Sequence, residues 1–159
     1  MNKIFLSFFY IGFAPYAPGT FGSLAGIILG LLIQSFFGFF GLLATITLLF
    51  LLGWKATKNY VSQNSENHDP QEIVVDEVVG QLVSYLPISF HIYFFKSEGF
   101  ISTFYDWMIA FLLFRFFDIF KPWPVNWADK MNSALGVMLD DLTAGLYCAI
   151  VFSSLLLIY

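Results

Sequence analysis

Apolar residues run through this chain in long blocks, and polar positions are confined to short clusters between them. Residues 4–13 are apolar and aromatic and predict a short interfacial helix. Ala14-Pro-Tyr-Ala-Pro-Gly-Thr-Phe-Gly-Ser23 follows; two prolines and two glycines in ten residues predict a loop. Leu24 to Trp54 is 31 residues without a charge. As one helix it would be about 46 Å long, against about 30 Å of bilayer hydrocarbon. Gln34-Ser35-Phe36-Phe37-Gly38 offers a break and predicts two short helices forming a hairpin. Beyond it, Trp54, Lys55, Lys58 and Tyr60 mark an interface, with an aromatic belt and then positive charge.

Residues 61–69 are polar and predict a second loop. Asp69-Pro70-Gln71-Glu72 reads as a helix start, with Asp69 as N-cap, Pro70 at N1 and Glu72 at N3. On that helix Glu72, Asp76 and Gly80 share a face, and Glu77 lies about 100° further round. Gly80 to Phe95 is apolar, Lys96 to Gly99 is a turn, and Phe100 to Phe117 is apolar again. Lys121-Pro-Trp-Pro124 breaks the helix after Asp118, and Trp123 and Trp127 form another interfacial pair. A last helix from about Ala134 carries Asp140 and Asp141 in its early turns and runs apolar to Tyr159.

The fold class expected is therefore all-α, a single-domain integral membrane protein with about five short membrane-embedded helices. Crossings near 20–35, 36–54, 80–95, 100–117 and 137–158 leave every charged motif on one side. Lys3, Lys55, Lys58, Arg115, Lys121 and Lys130 share that side and Lys96 lies opposite, so the positive-inside rule makes it the cytoplasm.

Composition agrees. Charged residues are 11% of the 159 and apolar residues 58%, whereas a soluble domain carries about 25% charge. A net charge of −4 with no basic patch argues against a nucleic-acid partner. Cys148, the single cysteine, permits no internal disulfide and reads as a buried thiol. The N-terminal stretch imitates a signal peptide, but Ala14 and Ala17 each precede a proline, and the segment is expected to be retained.

Seven of the eighteen charged side chains fall between Arg115 and Asp141. Asp76-Glu77 and Asp140-Asp141 are adjacent acids inside apolar sequence, where repulsion and desolvation are both costly. A divalent cation relieves both. Oxygen ligands without cysteine point to Mg²⁺ or Mn²⁺ rather than Zn²⁺, and three helix ends offer carboxylates at one interface: Asp69, Glu72, Asp76 and Glu77; Asp118; and Asp140 and Asp141. Arg115 and Lys121 suit phosphate oxygens. Thr20 and Ser23, near the start of the helix after the Pro-Gly loop, could hold an anion or simply cap that helix. The plainer reading of the acids is capping and pairing, Asp118 with Arg115 and Asp129 with Lys130; it is weakest where eleven acids face seven bases. His68 reads as a solvated loop residue and His91 as structural. Cys-x₅-Arg, Asp-x-Asp and phosphohistidine patterns are missing, which leaves metal-activated water as the phosphatase chemistry.

Four blocks carry a resemblance. Ala17-Pro-Gly-Thr-Phe-Gly-Ser-Leu24, His68-Asp-Pro with Val75-Asp-Glu77 and Gly80, Phe114 to Pro124, and Gly136 to Gly145 occur in one order over nearly the whole chain. Together they resemble the phosphatidylglycerophosphatase A family. The resemblance implies Mg²⁺-dependent removal of the terminal phosphate from phosphatidylglycerophosphate, giving phosphatidylglycerol at the bacterial inner membrane. Residue by residue it picks out Thr20, Asp69, Asp76, Glu77, Arg115, Asp118, Lys121, Asp140 and Asp141. Two positions depart from the family pattern: Tyr10 and Ser133-Ala134 stand where glycines are expected.

The expectation is a lipid phosphatase with its site facing the cytoplasm and a phospholipid of the bilayer as substrate. Mg²⁺ is expected on some subset of Asp76, Glu77, Asp118, Asp140 and Asp141, with Arg115, Lys121, Thr20 and Ser23 on the phosphate oxygens. Asp69 is the candidate base and Asp141 is also counted as catalytic; the oligomeric state stays open. The alternative is a divalent-cation transporter or channel subunit whose acids line a path.

Overall fold

The computed structural model describes residues 2–63, 70–95 and 100–156. All regular structure among them is helical. The elements are α1 (Asn2–Leu6), a 3₁₀ turn (Ile11–Phe13), α2 (Pro18–Gln63), α3 (Val75–Ser84), α4 (Leu86–Phe95), α5 (Phe100–Phe120), α6 (Val125–Asp129) and α7 (Ala134–Leu156).

α2 would measure about 69 Å if straight, but Gly38 leaves the helical region at φ 60°, ψ −157°. Glycine enters that conformation without a Cβ clash. The two arms then return to the same element. A Cβ on Gly22 would lie 2.9 Å from Val74, and one on Gly53 would lie 3.3 Å from Val75. α2 therefore doubles back at Gly38, inside the break read from Gln34 to Gly38. Phe39 packs edge-on against Phe90 and Phe94 beside this turn.

Among the described residues two helices, α2 and α7, are long and apolar enough to cross a membrane, and the pair α3–α4 makes a third if its 41° bend lies within one span. The expected five crossings are not reached by this measure. Pro87, which lacks an N–H and crowds the carbonyl four residues back, interrupts the α3–α4 run.

The helix expected from Asp69 begins instead at Val75. Ile73 N–H closes a turn on the Pro70 carbonyl at 2.9 Å, and Val74 N–H donates to the Leu6 carbonyl at 2.9 Å. Those bonds commit residues 70–74 to the N-terminal segment rather than to a helix. Glu72 accordingly does not share a helical face with Asp76. The expected interfacial helix over 4–13 is also broken, since Phe8, Phe9 and Tyr10 have φ of 43°, 58° and 70°. Tyr10, which stands where glycine was expected, takes a left-handed backbone all the same.

α3 is the hub. Val75, Val78, Val79 and Leu82 are fully buried against α2 and α7. In a bilayer such burial stabilises through close packing more than through exclusion of water. The approach to α7 is tightest at two glycines: a Cβ on Gly145 would sit 2.3 Å from the Gly80 carbonyl oxygen. Ser133, at the second departure from the family pattern, accepts the Gly136 N–H at 3.2 Å and so caps α7. Cys148 is buried, as expected, with its thiol 3.3 Å from the Ala110 carbonyl.

Candidate active site

At one end of the helices lies a cavity of about 600 Å³. Its floor comes from the N-terminal turn of α3, the end of α5 and the second turn of α7. The walls come from residues 12–19 and 71–73. Into it converge Asp76, Glu77, Arg115, Asp118, Lys121, Asp140 and Asp141, drawn from three separate stretches of the chain. Close packing of Gly80 against the Asp141 backbone brings the two acidic pairs together.

The acids are sequestered. Asp76, Asp140 and Asp141 are 5%, 9% and 4% exposed. Within each pair the first carboxylate accepts the backbone N–H of the second, Glu77 on Asp76 and Asp141 on Asp140, each at 2.9 Å. Asp141 stands in the field of Asp140, Asp76, Asp118 and Glu77. Two cations offset part of that charge. Arg115 Nη1 is 2.8 Å from Asp118 and 3.3 Å from Glu77. Lys121 Nζ is 3.0 Å from Asp140 and also bonds Asp129. Burial alone would pull the Lys121 ammonium down, but its bond to Asp129 and the charge of Asp140 hold it above the usual lysine value.

The pairing read for Arg115 and Asp118 is thus present, while Asp129 pairs with Lys121 rather than with Lys130. The left-handed backbone of Lys121, φ 43°, ends α5 and turns its side chain toward both α6 and α7. Thr20 lies within the first turn of α2, which begins at Pro18 rather than near Phe21, and does not line the cavity. Ser23 is fully buried behind the wall and is likewise absent from the lining. His68 and Asp69 lie outside the described residues.

Gln71 and Glu72 line the cavity as well. Tyr60 donates to Glu72 Oε1 at 2.5 Å, and the Lys3 ammonium lies 5.7 Å from the Tyr60 ring centroid. Sequence pattern placed Glu72 at N3 of a helix, among the acids of one interface but outside the candidate ligands; a turn at 70–73 brings it into the wall instead.

The donor set is oxygen throughout, which suits a hard divalent cation. Among the described residues no three histidine, cysteine or acidic side chains converge as a ready ion site. The donor chemistry fits such a cation, and the arrangement is one of ion pairs rather than of a coordination shell.

Fold and cavity together define a helical membrane protein with a buried polar site of mixed charge at its helix ends. The family model for phosphatidylglycerophosphatase A matches residues 4–156. A Haemophilus influenzae protein named phosphatidylglycerophosphatase A is 39% identical over 137 residues, 85% of this chain and 76% of that protein. An Escherichia coli K12 protein of the same name is 29% identical over 140 residues, covering 87% and 73%. A Bacteroides thetaiotaomicron protein, provisionally named a phosphatidylinositol-3-phosphatase, is 34% identical over 148 residues, covering 89% and 85%. No solved structure matches. The chain belongs to the phosphatidylglycerophosphatase A family, a family of lipid phosphatases. Nothing in these matches supports the transporter reading.

Proposed function

We propose that this chain removes the terminal phosphate of phosphatidylglycerophosphate, leaving phosphatidylglycerol, with Mg²⁺ as cofactor and Mn²⁺ as a possible substitute. The observation that carries the reading is the convergence of six acids and two cations on one cavity in a chain of this family. The phosphate would enter beside Arg115 and Lys121, whose charges face its oxygens. Asp76, Glu77, Asp118, Asp140 and Asp141 form the group from which ligands to the cation are drawn. When bound, that cation supplies positive charge at the phosphoryl oxygens and lowers the pKa of a water.

The reaction breaks the ester P–O bond and forms a new one from water. Asp69, two residues before Gln71 of the cavity wall, is the candidate to accept the proton of that water, and the same proton passes to the glycerol oxygen as it leaves. Walls from residues 12–19 and 71–73 keep bulk water from the acids, which strengthens every charge interaction inside.

The same reading sets the chain in the bacterial inner membrane with the cavity on the cytoplasmic side. It counts each arm of α2 as a crossing, and α3–α4, α5 and α7 as three more. The return of both α2 arms to α3 supports that count, as does the position of Lys3 beside Tyr60.

One relative carries a phosphoinositide name, so the substrate test has two arms. Purified protein is given phosphatidylglycerophosphate or phosphatidylinositol 3-phosphate in mixed micelles, and inorganic phosphate is measured. Faster release from phosphatidylglycerophosphate is expected. Release from phosphatidylinositol 3-phosphate alone overturns the substrate assignment.

A further inference from the structure

Three helices meet at one buried hydroxyl. Ser23, in the second turn of α2, is 0% exposed. Its Oγ donates to the Gly19 carbonyl at 2.9 Å and lies 3.5 Å from Glu77 Oε2 on α3. From α5, Arg115 Nη1 donates to that Oγ at 3.4 Å and to Glu77 Oε2 at 3.3 Å. Serine carries one proton and two lone pairs. With the proton on the Gly19 carbonyl, a lone pair remains for the guanidinium.

The third Arg115 contact, to Asp118 Oδ2 at 2.8 Å, also falls on Nη1. One nitrogen is therefore gripped by acceptors from three helices, while Nη2 and Nε stay outside the clamp. Glu77 and Arg115 line the cavity, whereas Ser23 stands behind them. Gly19 belongs to the same clamp, because a Cβ there would lie 1.8 Å from Glu77 Oε1. Glycine is what lets α2 approach that carboxylate.

We propose that Ser23 is a positioning residue for Arg115. Its hydroxyl, together with Glu77, pins Nη1 so that the remaining edge of the guanidinium meets a phosphate in one orientation. The inference rests on the phosphate-binding role given to Arg115 above. A planar fork is useful to phosphate only when its orientation is fixed, and Asp118, on the same helix, cannot fix it against α2 and α3.

The test is a double-mutant cycle on purified protein, with Ser23→Ala, Arg115→Lys and both together. Phosphate release from phosphatidylglycerophosphate gives kcat and KM, and the thermal midpoint is read beside them. Ser23→Ala is expected to lower kcat/KM about tenfold, the equivalent of one hydrogen bond to a charged group. In the Arg115→Lys background the same change should cost nothing further, because the fork it positions is gone. Additive losses, with Arg115→Lys itself impaired, overturn the inference and leave the reading of the site intact. Full activity of Arg115→Lys overturns the reading beneath it. Should Ser23→Ala fail to fold, Ser23→Cys takes its place in the cycle, since it keeps a side chain of similar shape but accepts a hydrogen bond only weakly, and the same non-additivity is expected.

Discussion

Gly80 of α3 packs so closely on Asp141 of α7 that a Cβ added to it would sit 2.5 Å from the Asp141 carbonyl oxygen. That contact sets the distance between the two helices whose acidic pairs form the cavity floor. Gly80→Ala is expected to push α7 away, at a cost of about 1–3 kcal/mol, as for other overpacked interiors. A lowered thermal midpoint together with a larger loss of phosphatase rate is the predicted pattern. A variant with wild-type rate and midpoint would show that the spacing is not set here.

Lys121 joins α6 to α7 through Asp129 and Asp140. Lys121→Met should lower kcat/KM by at least tenfold, since it removes a phosphate-facing charge and leaves Asp140 without this partner. Asp129→Asn removes only the outer, more exposed partner and should cost about 1 kcal/mol or less in stability, with activity nearly kept. Equal losses for the two variants would make Lys121 a structural tie and nothing more.

Removing divalent cations should abolish turnover. Treatment with EDTA is expected to stop phosphate release and added Mg²⁺ to restore it, with Zn²⁺ a poor substitute at an all-oxygen site. Unchanged turnover in EDTA contradicts the cofactor assignment.

Topology is open to direct labelling, and Cys148 is buried, so it should give little background. Cysteines introduced at Ser65 and Ser133 should react from the cytoplasmic face and one at Ser97 from outside. Labelling of 65 and 133 from opposite faces means that the crossing count is wrong.

The sequence made some of this legible for plain reasons. The 31 uncharged residues from Leu24 to Trp54 exceed a bilayer's thickness, so a break was forced, and Gly38 is where the backbone takes it. Asp76-Glu77 and Asp140-Asp141 stood out because adjacent acids inside apolar helices need a common purpose, and they do share one cavity. Asp69-Pro70 misled for the opposite reason. Local capping chemistry favoured a helix there, but the Val74 bond to Leu6 is a contact across 68 residues of chain and outweighs it. Glu72, read at the third position of that helix, was left out of the assigned site residues as a consequence. Ser23 could not be placed behind Arg115 from pattern alone, because the two are 92 positions apart.

Asp141 tests the central claim most directly. It is 4% exposed, lines the cavity and sits among four other carboxylates. Asp141→Asn is nearly isosteric and relieves repulsion with Asp140, so the protein should fold with an unchanged or higher thermal midpoint. Phosphate release from phosphatidylglycerophosphate should nonetheless fall by about 10²–10³-fold or more, the usual cost of losing charge stabilisation at a reacting phosphate. A folded Asp141→Asn protein that releases phosphate at the wild-type rate would mean that this cavity is not the active site.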